Sequence, residues 1–129
     1  LQGIHSDGAP SPVGPYSQAV RQGRWVYASG QIPIDPATGQ LVAGEIEVQT
    51  QRVLENLRAV LEAAGSSLER VVKTTVYVTD LSLFGRVNEV YARFFKADPP
   101  PARATVQVAA LPLGAGIEVD AVARTCRGR

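Results

Sequence analysis

Cysteine and histidine are nearly absent from this chain, with one of each in 129 residues. The lone cysteine, Cys126, sits near the C-terminus and closes no internal disulfide, which suits a reducing compartment and makes the thiol a spectator. The lone histidine, His5, falls in a stretch expected to be loose, so neither a Ser-His-Asp nor a Cys-His arrangement has a base. One His and one distant Cys supply no zinc or iron site, and no metal is expected. Phosphate-binding glycine patterns are missing too, and Gly114-Ala115-Gly116 reads as a plain turn. No run reaches the roughly 18 apolar residues of a membrane span, and no basic start precedes an apolar run. A soluble, cytoplasmic protein is expected. Thirteen Lys and Arg against twelve Asp and Glu leave a formal charge of +1, so no basic field invites nucleic acid. Proton transfer is left to carboxylates and tyrosines, with arginine as an anion anchor.

What is present fits one domain. Residues 1–8 are expected to be a flexible N-terminal segment, followed by a single domain over 9–129. Ala9 to Pro15 holds three prolines and a glycine and predicts an extended lead-in. Ser17 to Arg21 and Arg24 to Ser29 read as two strands joined at Gln22-Gly23, with Val26 and Ala28 opposed to Trp25, Tyr27 and Ser29. A loop follows through Gly39. The spacing predicts a helix from about Glu45 to Ala64, with Val53, Leu57, Val60, Leu61 and Ala64 on its apolar stripe and Gly65 as its stop. Glu69 to Thr79 reads as a strand, with Val72, Thr74, Val76 and Val78 on one face and Val71, Lys73, Thr75 and Tyr77 on the other. A second helix is predicted from about Leu81 to Lys96, N-capped by Asp80. Its stripe is Leu83, Val87, Val90, Tyr91, Phe94 and Phe95. The last strand, Ile117 to Arg124, alternates Ile117, Val119, Ala121 and Ala123 with Glu118, Asp120, Val122 and Arg124.

Three prolines, Pro99 to Pro101, end the second helix and deliver the chain, extended and stiff, to a strand opening at Arg103. The order is ββαβαββ, an α+β domain with two amphipathic helices on one face of a mixed sheet. The other face, assembled from Trp25, Tyr27, Thr75, Tyr77, Thr105, Gln107 and Val122, is too apolar for a wet surface and too polar for a second core. It is expected to bury against further copies of the chain. Arg103 is a planar fork suited to a carboxylate. Glu118 heads a strand one loop away, in reach of a neighbouring place in the sheet. Taken singly, the ordinary roles weigh more: a rim salt bridge for Arg103, its partner for Glu118, a core lid for Tyr16. Asn88 is then a surface residue and Ser29-Gly30 a strand end.

Together the segments Gly14-Pro15-Tyr16-Ser17-Gln18-Ala19, Ser29-Gly30-Gln31-Ile32-Pro33, Val72 to Val78, Val87-Asn88, Pro101-Ala102-Arg103 and Ile117-Glu118-Val119 resemble the RidA family of enamine/imine deaminases, nearly end to end. The resemblance implies a chorismate-mutase-like α+β fold of the bacillus type. It also implies a homotrimer with ligand sites between subunits, and hydrolysis of 2-imino acids such as 2-iminobutanoate or 2-iminopropanoate without a cofactor. It further implies that Arg103 grips the substrate carboxylate, Glu118 activates water, Tyr16 closes the site, Ser29 and Gly30 make contacts from the loop, and Asn88 supports the cleft. One departure stands at Thr105, where active deaminases often carry cysteine, which bears on substrate preference. Two other readings accompany this one. A trimeric module of the same fold that binds or senses a small carboxylate without catalysis would need Arg103 but not Glu118. An RNA-cleaving protein ranks last, for want of a histidine pair and a basic patch.

Overall fold

The computed structural model describes residues 1–126. Eight elements follow one another: β1 (Gln2–Ile4), β2 (Ala19–Gln22), β3 (Trp25–Gln31), α1 (Ile46–Ala63), β4 (Val71–Val78), α2 (Phe84–Phe94), β5 (Ala102–Gln107) and β6 (Ile117–Arg124). Short 3₁₀ turns precede β4, α2 and β6. The six strands form one sheet in the order β1-β2-β3-β6-β4-β5. Every pair is antiparallel except β4 and β5, which run parallel because α2 carries the chain back between them. This is the expected α+β domain with two helices on one face of a mixed sheet. No helix among the described residues is long and apolar enough to cross a membrane.

The helix-facing layer follows from local patterning. On α1 the side chains of Val53, Leu54, Leu57, Val60 and Leu61 are fully buried against Val26 of β3, Val76 and Val78 of β4, and Ile117, Val119, Ala121 and Ala123 of β6. Each such side chain contributes about 1.5–3 kcal/mol from removal of apolar surface. Gly65 ends α1 with φ of +80°, a left-handed conformation that costs a side-chain-bearing residue and not glycine. Gly23, with φ of +60°, turns β2 into β3 at the predicted hairpin.

Four expectations are corrected. Residues 1–8 were expected to be flexible, yet Gln2–Ile4 pairs with Ala19–Arg21 as an edge strand, and Ile4 is buried. The Gln18 side chain, itself buried, ties the chain beyond β1 down by accepting from Ser6 N at 2.6 Å and donating to Pro10 O at 2.9 Å. The second helix is shorter than predicted: Leu81–Leu83 is a 3₁₀ turn with Asp80 accepting from Ser82 N at 3.0 Å, and α2 ends at Phe94. In β4 the register with β6 shifts between Val71 and Lys73, so Val71 is buried and Val72 exposed, the reverse of strict alternation. In β5, Arg103 and Thr105 pair in register with Thr74 and Val76 and so face the helices with them, as does Gln107 beside Val78. Ala104 and Val106 take the open face in place of Thr105 and Gln107.

The loop after β3 is held by a residue that the apolar pattern does not single out. Asn56 of α1 is fully buried; its Nδ2 donates to Ile34 O at 2.9 Å and Ile32 O at 3.3 Å, and its Oδ1 accepts from Arg52 Nε at 3.1 Å. Removing that amide strands buried carbonyls. Asn56→Ala is therefore expected to lose about 1–3 kcal/mol in urea unfolding, with the 31–34 loop the first segment to gain hydrogen exchange.

Candidate functional site

The structure sorts the sequence-predicted site residues into two groups on opposite faces of the sheet. The first group gathers at Arg103, near the start of edge strand β5 on the helix side. Its guanidinium carbon lies 4.7 Å from the ring centroid of Tyr91 and 5.4 Å from that of Phe84, and Nη1 donates to Asn88 Oδ1 at 2.8 Å. Phe84, Asn88 and Tyr91 stand at helical spacings of four and three residues, so one stripe of α2 faces the arginine. Tyr91 is itself fixed, stacked on Phe95 at 4.4 Å and bonded through its hydroxyl to Thr74 Oγ1 at 2.7 Å. Burial raises the Tyr91 hydroxyl above the usual tyrosine value, so it stays neutral under the cation. No carboxylate among the described residues pairs with Arg103. Beside it, in a concavity shared with Leu81 and Phe84, the buried Thr105 hydroxyl has no hydrogen-bond partner among the described residues. An oriented but unpaired cation next to an unpaired hydroxyl is an arrangement suited to an anion.

The second group surrounds Glu118. A cavity of about 390 Å³ is lined by Pro10, Val13, Tyr16, Ser29, Gly30, Ile32, Ile34, Pro112 and Glu118, among others. Its walls are mostly apolar, and Glu118 is the charged residue in them. Between Ala28 and Gln31, β3 advances three residues while β6 advances two, from Ala121 to Val119, so Ser29-Gly30 bulges toward the carboxylate. A Cβ added at Gly30 would lie 2.7 Å from Glu118 Cδ and nearer still to Oε2, which excludes every other residue type there without displacement of the glutamate. Ser29 Oγ donates to Ser17 O at 2.6 Å, so it offers the cavity an acceptor. Tyr16 is half exposed at 50 %, and its hydroxyl accepts from Val13 N at 3.3 Å, which folds the lead-in over the cavity mouth. Burial pushes the Glu118 carboxyl above the ordinary carboxylate value, and the neighbouring Asp120 charge adds to the rise.

Glu118 and Arg103 are not neighbours, contrary to the expectation from their one-loop separation. β4 lies between β5 and β6; Glu118 is opposite Tyr77, whereas Arg103 is beside Thr74. Two strand spacings across and three residues along amount to roughly 14 Å within the sheet, before counting the opposite faces. The salt bridge between them, an ordinary role open to both, does not form. Asn88 is half-buried and bonded to Arg103, not a plain surface residue. The residues that sequence reasoning passed over are Phe84 and Tyr91 as the platform under Arg103, and Gln18 and Asn56 as loop pins. Only the 84-88-91 spacing carried a signal, alongside the core stripe that masked it.

Among known proteins, the family model described as endoribonuclease L-PSP matches residues 6–125. The protein DfrA of Myxococcus xanthus is 56% identical over 122 residues, covering 93% of this chain and 92% of its own. Human 2-iminobutanoate/2-iminopropanoate deaminase is 50% identical over 115 residues, covering 89% and 83%. A solved structure from Thermotoga maritima superposes with a TM-score of 0.93 at 54% identity, covering 97% of this chain and 98% of that one.

The raised Glu118 carboxyl makes a prediction about stability. A carboxyl whose folded value lies above its unfolded one, about 4.3, adds stability that is complete below the unfolded value and is lost as pH rises through the folded one. Glu118→Gln removes that loss. The variant is expected to melt higher than wild type at neutral pH, with the gain vanishing near pH 4, in thermal unfolding followed across that range.

Proposed function

The chain belongs to the RidA family, matched by the model described as endoribonuclease L-PSP, and on that premise we propose that it hydrolyses reactive 2-imino acids to 2-oxo acids and ammonia. The observation that carries the reading is Arg103, stacked and oriented yet without a carboxylate partner among the described residues. Substrates of the 2-iminobutanoate and 2-iminopropanoate kind bring that carboxylate. The Thr105 hydroxyl, unpartnered and adjacent, serves as a second contact, and Asn88 sets the tilt of the guanidinium. On the other half-site, Glu118 holds the attacking water, with Tyr16 closing over it and Ser29 and Gly30 shaping the loop side.

The chemistry balances with those groups alone. Water oxygen bonds to the imine carbon while one water proton passes to the Glu118 carboxylate; the C=N π pair moves onto nitrogen, which takes that proton from Glu118. The carbinolamine then gives its hydroxyl proton to Glu118, the C–N bond breaks as C=O forms, and nitrogen leaves as ammonia with the returned proton. Each step needs a held water, a proton carrier of raised pKa and an anchored substrate; none needs a metal or an organic cofactor.

In a 2-imino acid the carboxylate carbon is bonded directly to the imine carbon, so its anchor and its proton carrier must both lie within a few ångströms of it. Arg103 and Glu118 of one chain, roughly 14 Å apart on opposite faces, do not meet that condition. In this reading the chain is a cytoplasmic homotrimer whose sites complete between subunits, Arg103 from one copy facing the Glu118 cavity of the next. The aromatic open face, with Trp25 and Tyr27 at 38% and 48% exposure, supports burial against another copy. Nucleic acid is not a partner in this reading: the charge is near neutral, and His5, exposed, is bonded to Asp7.

The test is hydrolysis of imino acid made in place by an amino-acid oxidase. Wild type is expected to speed imine loss, and Arg103→Ala to reduce kcat/KM by about 100-fold or more with unchanged melting. Equal mixtures of Arg103→Ala and Glu118→Gln subunits, unfolded and reassembled together, should recover about a quarter of the wild-type sites by random pairing across interfaces. Absence of recovery would return both residues to one chain's site and sink the intersubunit arrangement. No acceleration by wild type, with a 2-oxo acid still bound, would make the protein a carboxylate-binding module.

A further inference from the structure

The open face beside Glu118 holds a second carboxylate that the reaction as written does not use. Asp120 lies two residues further along β6, about 6.8 Å away on the same face, and like Glu118 it is half-buried. Its position is fixed from β4: Oδ2 accepts from Tyr77 Oη at 3.0 Å and Oδ1 from the Thr75 backbone N–H at 3.2 Å. Tyr77 stands directly opposite Glu118 in the ladder and reaches one diagonal step to Asp120. The tyrosine hydroxyl is thereby turned away from Glu118 and committed to its neighbour; burial and the Asp120 charge raise it above the usual tyrosine value, so it remains a donor.

Within the chain, Glu118 shares its face with few ionisable groups. Asp120 stands on its own strand, Tyr77 and, further along, Lys73 on β4, Tyr27 on β3, and Tyr16 on the lead-in. β5 offers only Ala102, Ala104 and Val106 to this face. Lys73 pairs in register with Val122, two strand residues beyond Asp120, and no cation among the described residues is in ion-pair contact with Glu118. Within the chain, the nearest full charge among the described residues is therefore the negative one that Tyr77 and Thr75 hold in place.

Resting on the deaminase reading, we propose that Asp120, oriented by Tyr77 and Thr75, is a positioning residue that governs when Glu118 holds a proton. A carboxylate of ordinary acidity is a poor acceptor for a water proton near neutral pH; a fixed anion two residues along the same strand makes Glu118 a better one without touching the substrate. Tyr77 keeps that anion at a set distance instead of letting it swing to solvent or onto the reacting nitrogen.

The test reads Glu118 itself. Carbon-13 NMR of the Glu118 carboxyl follows its titration in wild type, Asp120→Asn and Tyr77→Phe, alongside the pH profile of kcat/KM with 2-iminopropanoate generated in place. Asp120→Asn is expected to move both the carboxyl midpoint and the acid limb of the profile down by about 0.5–1 unit. Tyr77→Phe, which keeps the charge but frees one of its oxygens to swing away, is expected to move the midpoint in the same direction by less than Asp120→Asn does. Should Asp120→Asn fold poorly, Asp120→Ser removes the same charge and is read in the same way. A midpoint that stays in place or rises when the charge is removed overturns the proposal. The two readings fail separately: no acceleration of imine loss by wild type brings down the deaminase assignment while the NMR shift still reports the coupling, whereas an active wild type with an unmoved Asp120→Asn profile brings down only the role given to Asp120.

Discussion

The rest of the structure depends on the insertion of the C-terminal strand β6 between β3 and β4. Until β6 is in place the sheet is two separate pieces, β1-β2-β3 and β4-β5, and neither has a partner for its inner edge. Ile117, Val119, Ala121 and Ala123, all buried on the helix side, make β6 the seam of the core. The intervening residues Glu118, Asp120 and Val122 are carried to the open face by the same alternation. Burial of one face thus dictates the position of the carboxylates on the other. The Ser29-Gly30 bulge of β3 is then met by Glu118 at a distance only glycine permits.

A second consequence concerns the two half-sites. The α2 crossover sets β5 parallel to β4, with Arg103 level with Thr74 and turned to the helices. There the guanidinium has an aromatic floor and one amide partner, which fix its plane, while no carboxylate among the described residues matches its charge. Glu118 has the opposite environment, with a mostly apolar cavity and a like charge nearby. A chain that keeps its cation and its key carboxylate on opposite faces prevents them from neutralising each other. In the proposed trimer both remain unpaired until copies assemble, and the reactive pairing is then made with substrate between them.

Both loops around the Glu118 cavity are held by buried side-chain amides, Gln18 on the lead-in and Asn56 on the 31–34 segment, with Gln49 accepting from Gly116 N at 2.9 Å just before β6. Each amide supplies donors and acceptors to backbone that has no strand partner, which is how irregular chain is kept ordered beside a cavity. Such residues interrupt the apolar stripe of a helix or strand and are easily read as noise in it.

Periodicity by itself determined much of this protein. The bounds of β6, the buried stripe of α1, the Gly23 and Gly65 turns and the order of the main elements were all legible, because local alternation, helical spacing and glycine conformation act over a few residues. The separated motifs marked Tyr16, Ser29, Gly30, Asn88, Arg103, Thr105 and Glu118 as residues worth following, and they identified the family. Strand β1 was missed because three residues paired to an edge carry almost no pattern. The β4 bulge was missed because Val71 and Val72 are equally apolar. Only the tertiary structure decided which way β5 faces and what stands between Arg103 and Glu118. Alternation shows that residues 103, 105 and 107 share a face, but a slip of one residue in the pairing with β4 would exchange the faces, and that register is set by long-range packing rather than by β5 itself.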